Sequence, residues 1–376
     1  MSSWRECKLG EVVDIGSSKR IFYNEYVDYG IPFYRSKEII EKYSKRNVST
    51  ELFITNDKFQ EIKNKYGVPQ EGDILLTSVG TLGIPYIVDS ADEFYFKDGN
   101  LTWFKNFSQE LFNLYLYYWI ISPLGKNRLL SSSIGSTQSA LTIQGLKNLD
   151  ISLPSFNEQK AIANILSSLD KKIELLKEQN KTLETMAQTI FKEWFINNEA
   201  KEEWEKVTLG DVMELKYGKD HKNLADGKIP VYGSGGIMRY ADKAIYDQES
   251  ILIPRKGTLN NIFYVDEPFW TVDTIFWSKI NSEKISGKLL FEYLKTIDFS
   301  NMNVGSAVPS LTTNVLNAIT FALPSIEDQE AFKFYIDNAW NKIAHNKKQI
   351  QTLEKLRDTL LPRLMSGKHR VDEYDA

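Results

Sequence analysis

Residues 155–197 read SFNEQKAIANILSSLDKKIELLKEQNKTLETMAQTIFKEWFIN, and the spacing of their apolar side chains decides how the rest of the chain is read. The seam runs Ile162, Leu166, Leu169, Ile173, Leu176, Asn180, Leu183, Ala187, Ile190, Trp194. Steps of 4 and 3 alternate throughout, a 3.5-residue repeat that marks a coiled-coil seam rather than the wider stripe of a globular helix. The same steps return 170 residues later at Phe332, Ile336, Ala339, Ile343, Asn346, Ile350, Leu353, Arg357, Leu360 and Leu364, with Arg357 off the pattern and Leu356 beside it. Comparing 151–197 with 321–367 without a gap gives 13 identities in 47 positions, Leu153-Pro154-Ser155 with Leu323-Pro324-Ser325 among them.

The duplication extends outward from the helices. Trp4 and Leu9-Gly10-Glu11-Val12 are matched by Trp204 and Leu209-Gly210-Asp211-Val212. Ile31-Pro32-Phe33-Tyr34 answers Ile229-Pro230-Val231-Tyr232, and Gly80-Thr81-Leu82 answers Gly257-Thr258-Leu259. Gly135-Ser136 and Leu141-Thr142 answer Gly305-Ser306 and Leu311-Thr312. The offset falls from 200 to 170 along the chain, so the first copy holds extra residues, most of them between Ile39 and Ile74. Within each copy, short apolar runs such as Ile74–Thr77, Pro85–Val88, Ile251–Pro254 and Ile262–Val265 are punctuated by Gly, Asn and Asp and read as strands. Aromatic-rich helices are expected near 109–122 and 286–297. One mixed α/β module has been copied, and its two heads have diverged.

Connectivity sets the direction of the helices. A helix of about 40 residues is roughly 60 Å long, whereas a domain of about 130 residues has a radius of gyration near 14 Å. A head joining the end of one helix to the start of the next cannot span that length, so the helices are expected to pair antiparallel. Asn180 and Asn346 would fix their register at some cost in stability. The expected architecture is α+β: two similar heads held apart by a long antiparallel two-helix coiled coil, with pseudo-two-fold symmetry. The expected boundaries are 1–154 for the first head, 155–198 for the central helix, 199–324 for the second head, and 325–376 for the distal helix and tail. Pro362 is expected to kink or end the distal helix.

Composition narrows the function classes. The 42% apolar and 12% aromatic content is that of a folded protein. The best apolar run, Leu111–Ile121, is too short for a bilayer and contains Asn113, so no membrane partner is expected. MSSWRECKLG lacks the apolar core of a signal peptide, and the single cysteine, Cys7, offers neither an internal disulfide nor a cysteine zinc cluster; a reducing cytoplasm is the expected location. The net charge is −4 and no segment is broadly basic, so nucleic acid would be held by local loops or with a partner's help. The histidines His221, His345 and His369 are far apart, and no Asn-Pro-Pro-aromatic or Asp-Pro-Pro-aromatic stretch of an adenine methyltransferase occurs. Glu61-Ile62-Lys63 is too closely spaced after Asp57 for a nuclease motif, and Gly233-Ser234-Gly235-Gly236 reads as a tight turn because no helix-opening Lys-Ser/Thr follows. Two diverged heads at a fixed separation suit measurement along a long regular partner, and DNA is such a partner.

The chain resembles the specificity subunit of type I restriction-modification systems. The resemblance rests on the W-x4-LG-[ED]-V opening of each head, on GS…LT followed by LPS and Gln159 or Gln329, and on the closing Leu360-Leu361-Pro362-Arg363-Leu364-Met365-Ser366-Gly367. It implies that each head is a target recognition domain reading one half of a split, asymmetric site in double-stranded DNA. It implies a non-catalytic chain that bridges two methyltransferase subunits, joined by restriction subunits. It also implies no cofactor in this chain, with S-adenosylmethionine, ATP and Mg in the partners. Two other readings stand beside it: a coiled-coil scaffold whose heads bind only proteins, and an orphan or exchangeable specificity subunit.

The candidate DNA contacts are polar and basic groups on glycine-bearing loops, because Arg bonds guanine bidentately, Asn or Gln does so with adenine, and Lys or Ser holds phosphates. In the first head these are Lys19, Arg20, Arg35, Lys37, Thr77, Ser78, Thr81, Ser136, Thr137 and Gln138. In the second they are Lys219, His221, Lys222, Ser234, Arg239, Arg255, Lys256, Thr258, Asn260 and Ser306. The strongest single candidate is Pro254-Arg255-Lys256-Gly257, where an apolar strand delivers adjacent cations into a turn; the matching Thr77-Ser78-Val79-Gly80 lacks both charges. Phe191, Trp194 and Phe195 at the end of the first helix are read as either buried against a head or presented to a partner.

Overall fold

A computed structural model describes residues 4–133, 139–302 and 310–371. It forms two compact units, Met1–Leu175 with Gln349–Ala376, and Leu176–Lys348. Each unit therefore holds one head together with part of both long helices.

The first head opens with the strand Arg5–Lys8, which pairs antiparallel with Asp150–Leu153 just before the first long helix. Its main sheet has four antiparallel strands in the order Asp14–Gly16, Leu101–Lys105, Ile74–Thr77, Pro85–Ile87. A second layer holds Ile31–Tyr34 in parallel with Tyr95–Phe96. The second head repeats this topology: Glu205–Thr208 pairs with Thr320–Leu323, and the main sheet runs Met213–Tyr217, Ile275–Ile280, Ser250–Pro254, Phe263–Val265. Asp226–Gly233 lies parallel to Trp270–Thr271. The extra residues of the first copy form the helices Ser36–Tyr43 and Asn56–Tyr66. Glu61 on the latter is paired with Lys65 at 3.1 Å and Lys58 at 3.4 Å.

The repeated motifs now have physical reasons. In both heads the Leu of LG-[ED]-V donates its N–H across the module, Leu9 to the Leu149 carbonyl at 2.8 Å and Leu209 to that of Ile319 at 2.9 Å. A Cβ on Gly10 would lie 2.9 Å from the Lys147 Cβ, and one on Gly210 3.3 Å from the Asn317 Cβ, so glycine permits the close approach. The Thr of LT caps a short helix: Thr142 Oγ1 accepts from Gly145 N and Thr312 Oγ1 from Val315 N. The Ser of LPS caps the long helix in the same way, Ser155 through Glu158 N at 3.2 Å and Ser325 through Asp328 N at 3.1 Å. The glutamine one turn on ties helix to head: Gln159 Nε2 donates to the carbonyls of Glu110 (2.8 Å) and Pro154 (3.0 Å), and Gln329 Nε2 to those of Lys284 (3.0 Å) and Pro324 (3.1 Å).

The long helices run Phe156–Phe191 and Ile326–Met365, and the first closes on a π turn at Lys192–Ile196. All ten seam positions of each helix are buried or half-buried, including the half-buried Arg357. Within the first unit Glu158 pairs with Arg370 at 2.7 Å and Asp170 with Arg357 at 3.0 Å. Within the second, Asn346 Nδ2 donates to Asn180 Oδ1 at 2.9 Å, while Phe191 and Phe195 meet Phe332 at ring separations of 6.0 and 5.0 Å. In each unit a later residue of the first helix meets an earlier residue of the second, so both local pairings are antiparallel. Phe191 and Phe195 are buried and Trp194 is half-buried against Phe332 and Tyr335, so this aromatic cluster serves the core. Pro362 departs from expectation: the helix continues through it to Met365 and ends at Gly367, whose φ of +67° is the left-handed stop that glycine adopts freely. A proline this close to the C-terminus forfeits one intrahelical bond, and burial of Leu361, Leu364 and Met365 in the first core offsets that loss.

Candidate nucleic-acid interface

Both heads assemble one equivalent loop cluster by the same backbone bonds. In the first, Ser78 N donates to the Asn100 carbonyl (2.8 Å), Leu141 N to that of Ser78 (2.9 Å), and Lys97 N to that of Tyr34 (2.8 Å). In the second, Arg255 N donates to Thr274 (2.9 Å), Leu311 N to Arg255 (3.0 Å), and Val272 N to Tyr232 (3.1 Å). Isolated bridges Val79–Ala140 and Lys256–Ser310 complete the match. The candidates Ser136, Thr137, Gln138 and Ser306 lie outside the described residues, next in sequence to these bridges.

In the second head the cluster encloses an open cleft of about 600 Å³ whose lining includes His221, Lys222, Ser234, Met238, Asp273 and Thr274. Three candidates from two separate loops, His221, Lys222 and Ser234, thus meet in one place. The Lys256–Thr258 loop joins them, since a Cβ on Gly257 would lie 2.8 Å from Ser234 Oγ. Lys219, Lys222, Lys256 and Thr258 are exposed. The backbone around Lys219 is fixed, its N–H on the Thr271 carbonyl at 2.9 Å and its carbonyl on Trp270 Nε1 at 3.0 Å. The Arg255 guanidinium lies over the rings of Tyr217 (5.2 Å) and Phe276 (5.6 Å), a cation–π seat that orders the charge without neutralising it. Arg239 and Asn260 are committed to the fold. Arg239 bonds the Leu224 carbonyl and Asp226, both at 3.0 Å, and Asn260 Nδ2 bonds Asp298 at 2.8 Å and Ser300 at 2.9 Å.

The first head presents less charge. Lys19 is exposed, and its N–H is held at 2.6 Å by the hydroxyl of Tyr95, whose phenol burial pushes up to about 12. Arg20 pairs with Asp98 at 2.7 Å, and Lys37 Nζ donates to the Ser49 carbonyl at 3.1 Å. Thr81 is exposed on the turn between Gly80 and Gly83, both at positive φ. Three expectations need correction. Thr77 and Ser78 are buried: Thr77 Oγ1 accepts from Ile84 N at 3.0 Å and Ser78 Oγ meets Thr102 Oγ1 at 2.6 Å, so both hydroxyls close the turn. Arg35 caps its own helix, pairing at 2.9 Å with the fully buried Glu38, whose charge it answers. The Arg–x–x–Glu spacing before a helical run was the signal for that role.

The loop reading also passed over exposed apolar groups. Phe22 (60%), Tyr23 (92%) and Tyr29 (85%) stand out in the first head, and Ile237, Met238 and Tyr240 in the second. Among the described residues no group of three or more His, Cys, Asp or Glu is placed to hold a metal. No described helix is long and apolar enough to cross a membrane.

The family model for the type I restriction modification DNA specificity domain matches twice, over residues 1–185 and 201–355. The chain belongs to this family. Family members are specificity subunits, the non-catalytic components of type I systems. The type I restriction enzyme MjaIX specificity subunit of Methanocaldococcus jannaschii is 28% identical, covering 97% of this chain and 92% of the relative. A putative type I restriction enzyme specificity subunit of Haemophilus influenzae is 34% identical over 43% of this chain and 39% of its own length. The solved S subunit of a type I restriction-modification system from M. genitalium shares the fold, with a TM-score of 0.64 at 21% identity and 96% coverage of both chains.

Proposed function

We propose that this specificity subunit reads a bipartite, asymmetric site in double-stranded DNA, one half with each head, and directs adenine methylation and restriction by its partners. The single observation that carries this reading is the equivalent loop cluster, framed by identical backbone bonds in both heads but furnished with different side chains. Two copies of one frame with unlike contents suit two readings of unlike sequence. Lys19, Arg20, Lys37 and Thr81 are the proposed contacts in the first head; Lys219, His221, Lys222, Ser234, Arg255, Lys256 and Thr258 are those in the second. The candidates Ser136, Thr137, Gln138 and Ser306 remain in this set on sequence grounds.

In the same proposal the boundaries near 154, 198 and 324 separate two target recognition domains from two helices that form an antiparallel coiled coil. The seam spacing and helices of 36 and 40 residues support a spacer that sets the gap between half-sites and docks two methyltransferase subunits. S-adenosylmethionine, ATP and Mg belong to the methyltransferase and restriction subunits, which carry out the chemistry. Methylome sequencing of a host expressing this chain with its methyltransferase partner tests the reading. A split motif is expected, and exchange of residues 1–154 for another head should change one half only. Absence of any sequence-dependent methylation, or change in both halves, overturns it.

A further inference from the structure

The two heads part company at one point in the frame. Tyr34 and Tyr232 occupy the same place, each giving its carbonyl to the loop that precedes the last sheet strand. After Tyr34 the chain turns directly into the helix Ser36–Tyr43. After Tyr232 it instead makes a two-residue turn at Ser234-Gly235 and returns as the strand Gly236–Ala241, pairing antiparallel with Asp226–Gly233. This outer strand sits at the end of its three-stranded sheet, with a neighbour on one side. Successive strand residues point to opposite faces, yet Ile237 (46%), Met238 (59%) and Tyr240 (46%) are all exposed. The outer strand is thus open on both faces, while its partner strand is buried at Pro230 and Val231 and pairs on its far side with Trp270–Thr271. Adjacent exposed apolar groups on an edge strand are an interaction surface or a liability.

We propose that the tip and outer strand of this hairpin are the base-reading element of the second head, presented as a sheet edge to the major groove of DNA. The inference rests on the DNA-binding reading above and deepens it. Sheet strands can be placed in a DNA groove, and apolar side chains in the major groove distinguish thymine by its methyl group. Three observations favour DNA as the occupant. The hairpin tip and Met238 line the same cleft as His221 and Lys222, so the hairpin is continuous with the proposed contact loops. The exposed cations Lys219, Lys222, Lys228 and Lys256 lie on the hairpin and its neighbouring loops, and Asp226 is answered by Arg239, while Asp220 and Asp273 set two carboxylates against them in the cleft lining. The hairpin is also preorganised. Arg239 ties its base to Asp226 and the Leu224 carbonyl, and Met238 lies so close over Gly233 that a Cβ there would stand 2.4 Å from its sulfur.

The test uses the chain assembled with its methyltransferase partner and a duplex carrying its site. Met238→Ser and Tyr240→Ser lie on exposed positions, and thermal melting checks that each variant folds as the parent does. Each is expected to weaken cognate binding about tenfold while leaving the slope of affinity against salt unchanged, since no phosphate contact is lost. Uracil in place of thymine in the second half-site should weaken the parent severalfold and the variants no further, and penalties for changes in the first half-site should stay as they were. Unchanged affinity and discrimination in both variants would overturn the proposal. So would a uniform loss with an altered salt slope, or a change in self-association with DNA binding intact, which would make the edge a contact between copies. A parent complex with no sequence preference at all would instead bring down the DNA reading beneath it.

Discussion

Arg357 of the second long helix donates to Asp170 of the first at 3.0 Å, at the seam position where the apolar repeat gives way to a charge. The other oxygen of Asp170 accepts the Tyr118 hydroxyl at 2.7 Å, so this carboxylate joins both helices to the aromatic helix Asn113–Ile121 of the first head. Both partners of the ion pair are about one-third exposed, which screens the pair without abolishing it. Asp170→Ala is expected to cost about 1–3 kcal/mol, because it also strands a buried tyrosine hydroxyl. A double-mutant cycle with Arg357→Ala, followed by urea denaturation, should give a coupling of about 1 kcal/mol. Zero coupling would show that packing alone holds this junction.

The asparagines in the second unit behave differently because they are buried. Asn346 is fully inaccessible, and its amide donates to Asn180 and to Gln179 Oε1 at 2.8 Å. Replacing Asn346 alone by Leu leaves Asn180 without its partner and should destabilise the unit by about 1–3 kcal/mol. Replacing both by Leu should recover that loss or exceed it, since apolar groups then fill the seam, but at the expense of register. Calorimetry reads the stability, and cysteine crosslinking across the pair reads the register; a double variant no more stable than the single would contradict this account.

Stability of the second unit should depend on pH through Glu292. Burial pushes its carboxyl up to about 7, with Lys295 at 3.5 Å only partly opposing the shift. The unfolded chain carries an ordinary glutamate near 4.5, so between those values the folded state binds the extra proton. Stability therefore falls as pH rises from about 5 to 7 and levels off above, by up to about 3 kcal/mol. Glu292→Gln should remove this slope and raise the unfolding midpoint at pH 8 while changing little at pH 5. Parallel pH profiles for parent and variant would rule the effect out.

Spacing gives a prediction in base pairs. Seven residues added to each long helix lengthen it by roughly 10 Å, about three base pairs at 3.4 Å each. Methylome sequencing should show a gap longer by about that amount, or no methylation if the heads are turned off their grooves. An unchanged motif would show that the helices do not set the gap.

What the sequence disclosed and what it concealed divide along a physical line. The seam was legible residue by residue because a long helix buries one periodic stripe and little else competes with that signal. Thr142, Ser155 and Gln159 drew notice as repeats, and their capping and tying roles follow from local spacing. Thr77 and Ser78 were misplaced because a hydroxyl that closes a buried turn has the same composition as one that faces solvent. The hairpin at 226–241 was half visible: Gly233-Ser234-Gly235-Gly236 read as a turn, but the exposure of Ile237, Met238 and Tyr240 depends on which strand lies at the edge, and pairing order is a non-local property.

In the first unit the chain's described ends nearly touch. Trp4 packs 3.2 Å from the position of a Cβ on Gly367, and Arg370 lies over its ring at 5.9 Å. The corresponding passage in the middle of the chain, from Asn197 to Trp204, is a continuous covalent link. In the second unit Trp204 likewise meets the end of a long helix, its ring 5.8 Å from that of Phe195, so the two joints are locally comparable. A gene rearranged to close the gap between Val371 and Trp4 and to open near Asn198 should encode the same two readings in swapped order, and methylation of the unchanged motif by that permuted chain is the outcome to look for.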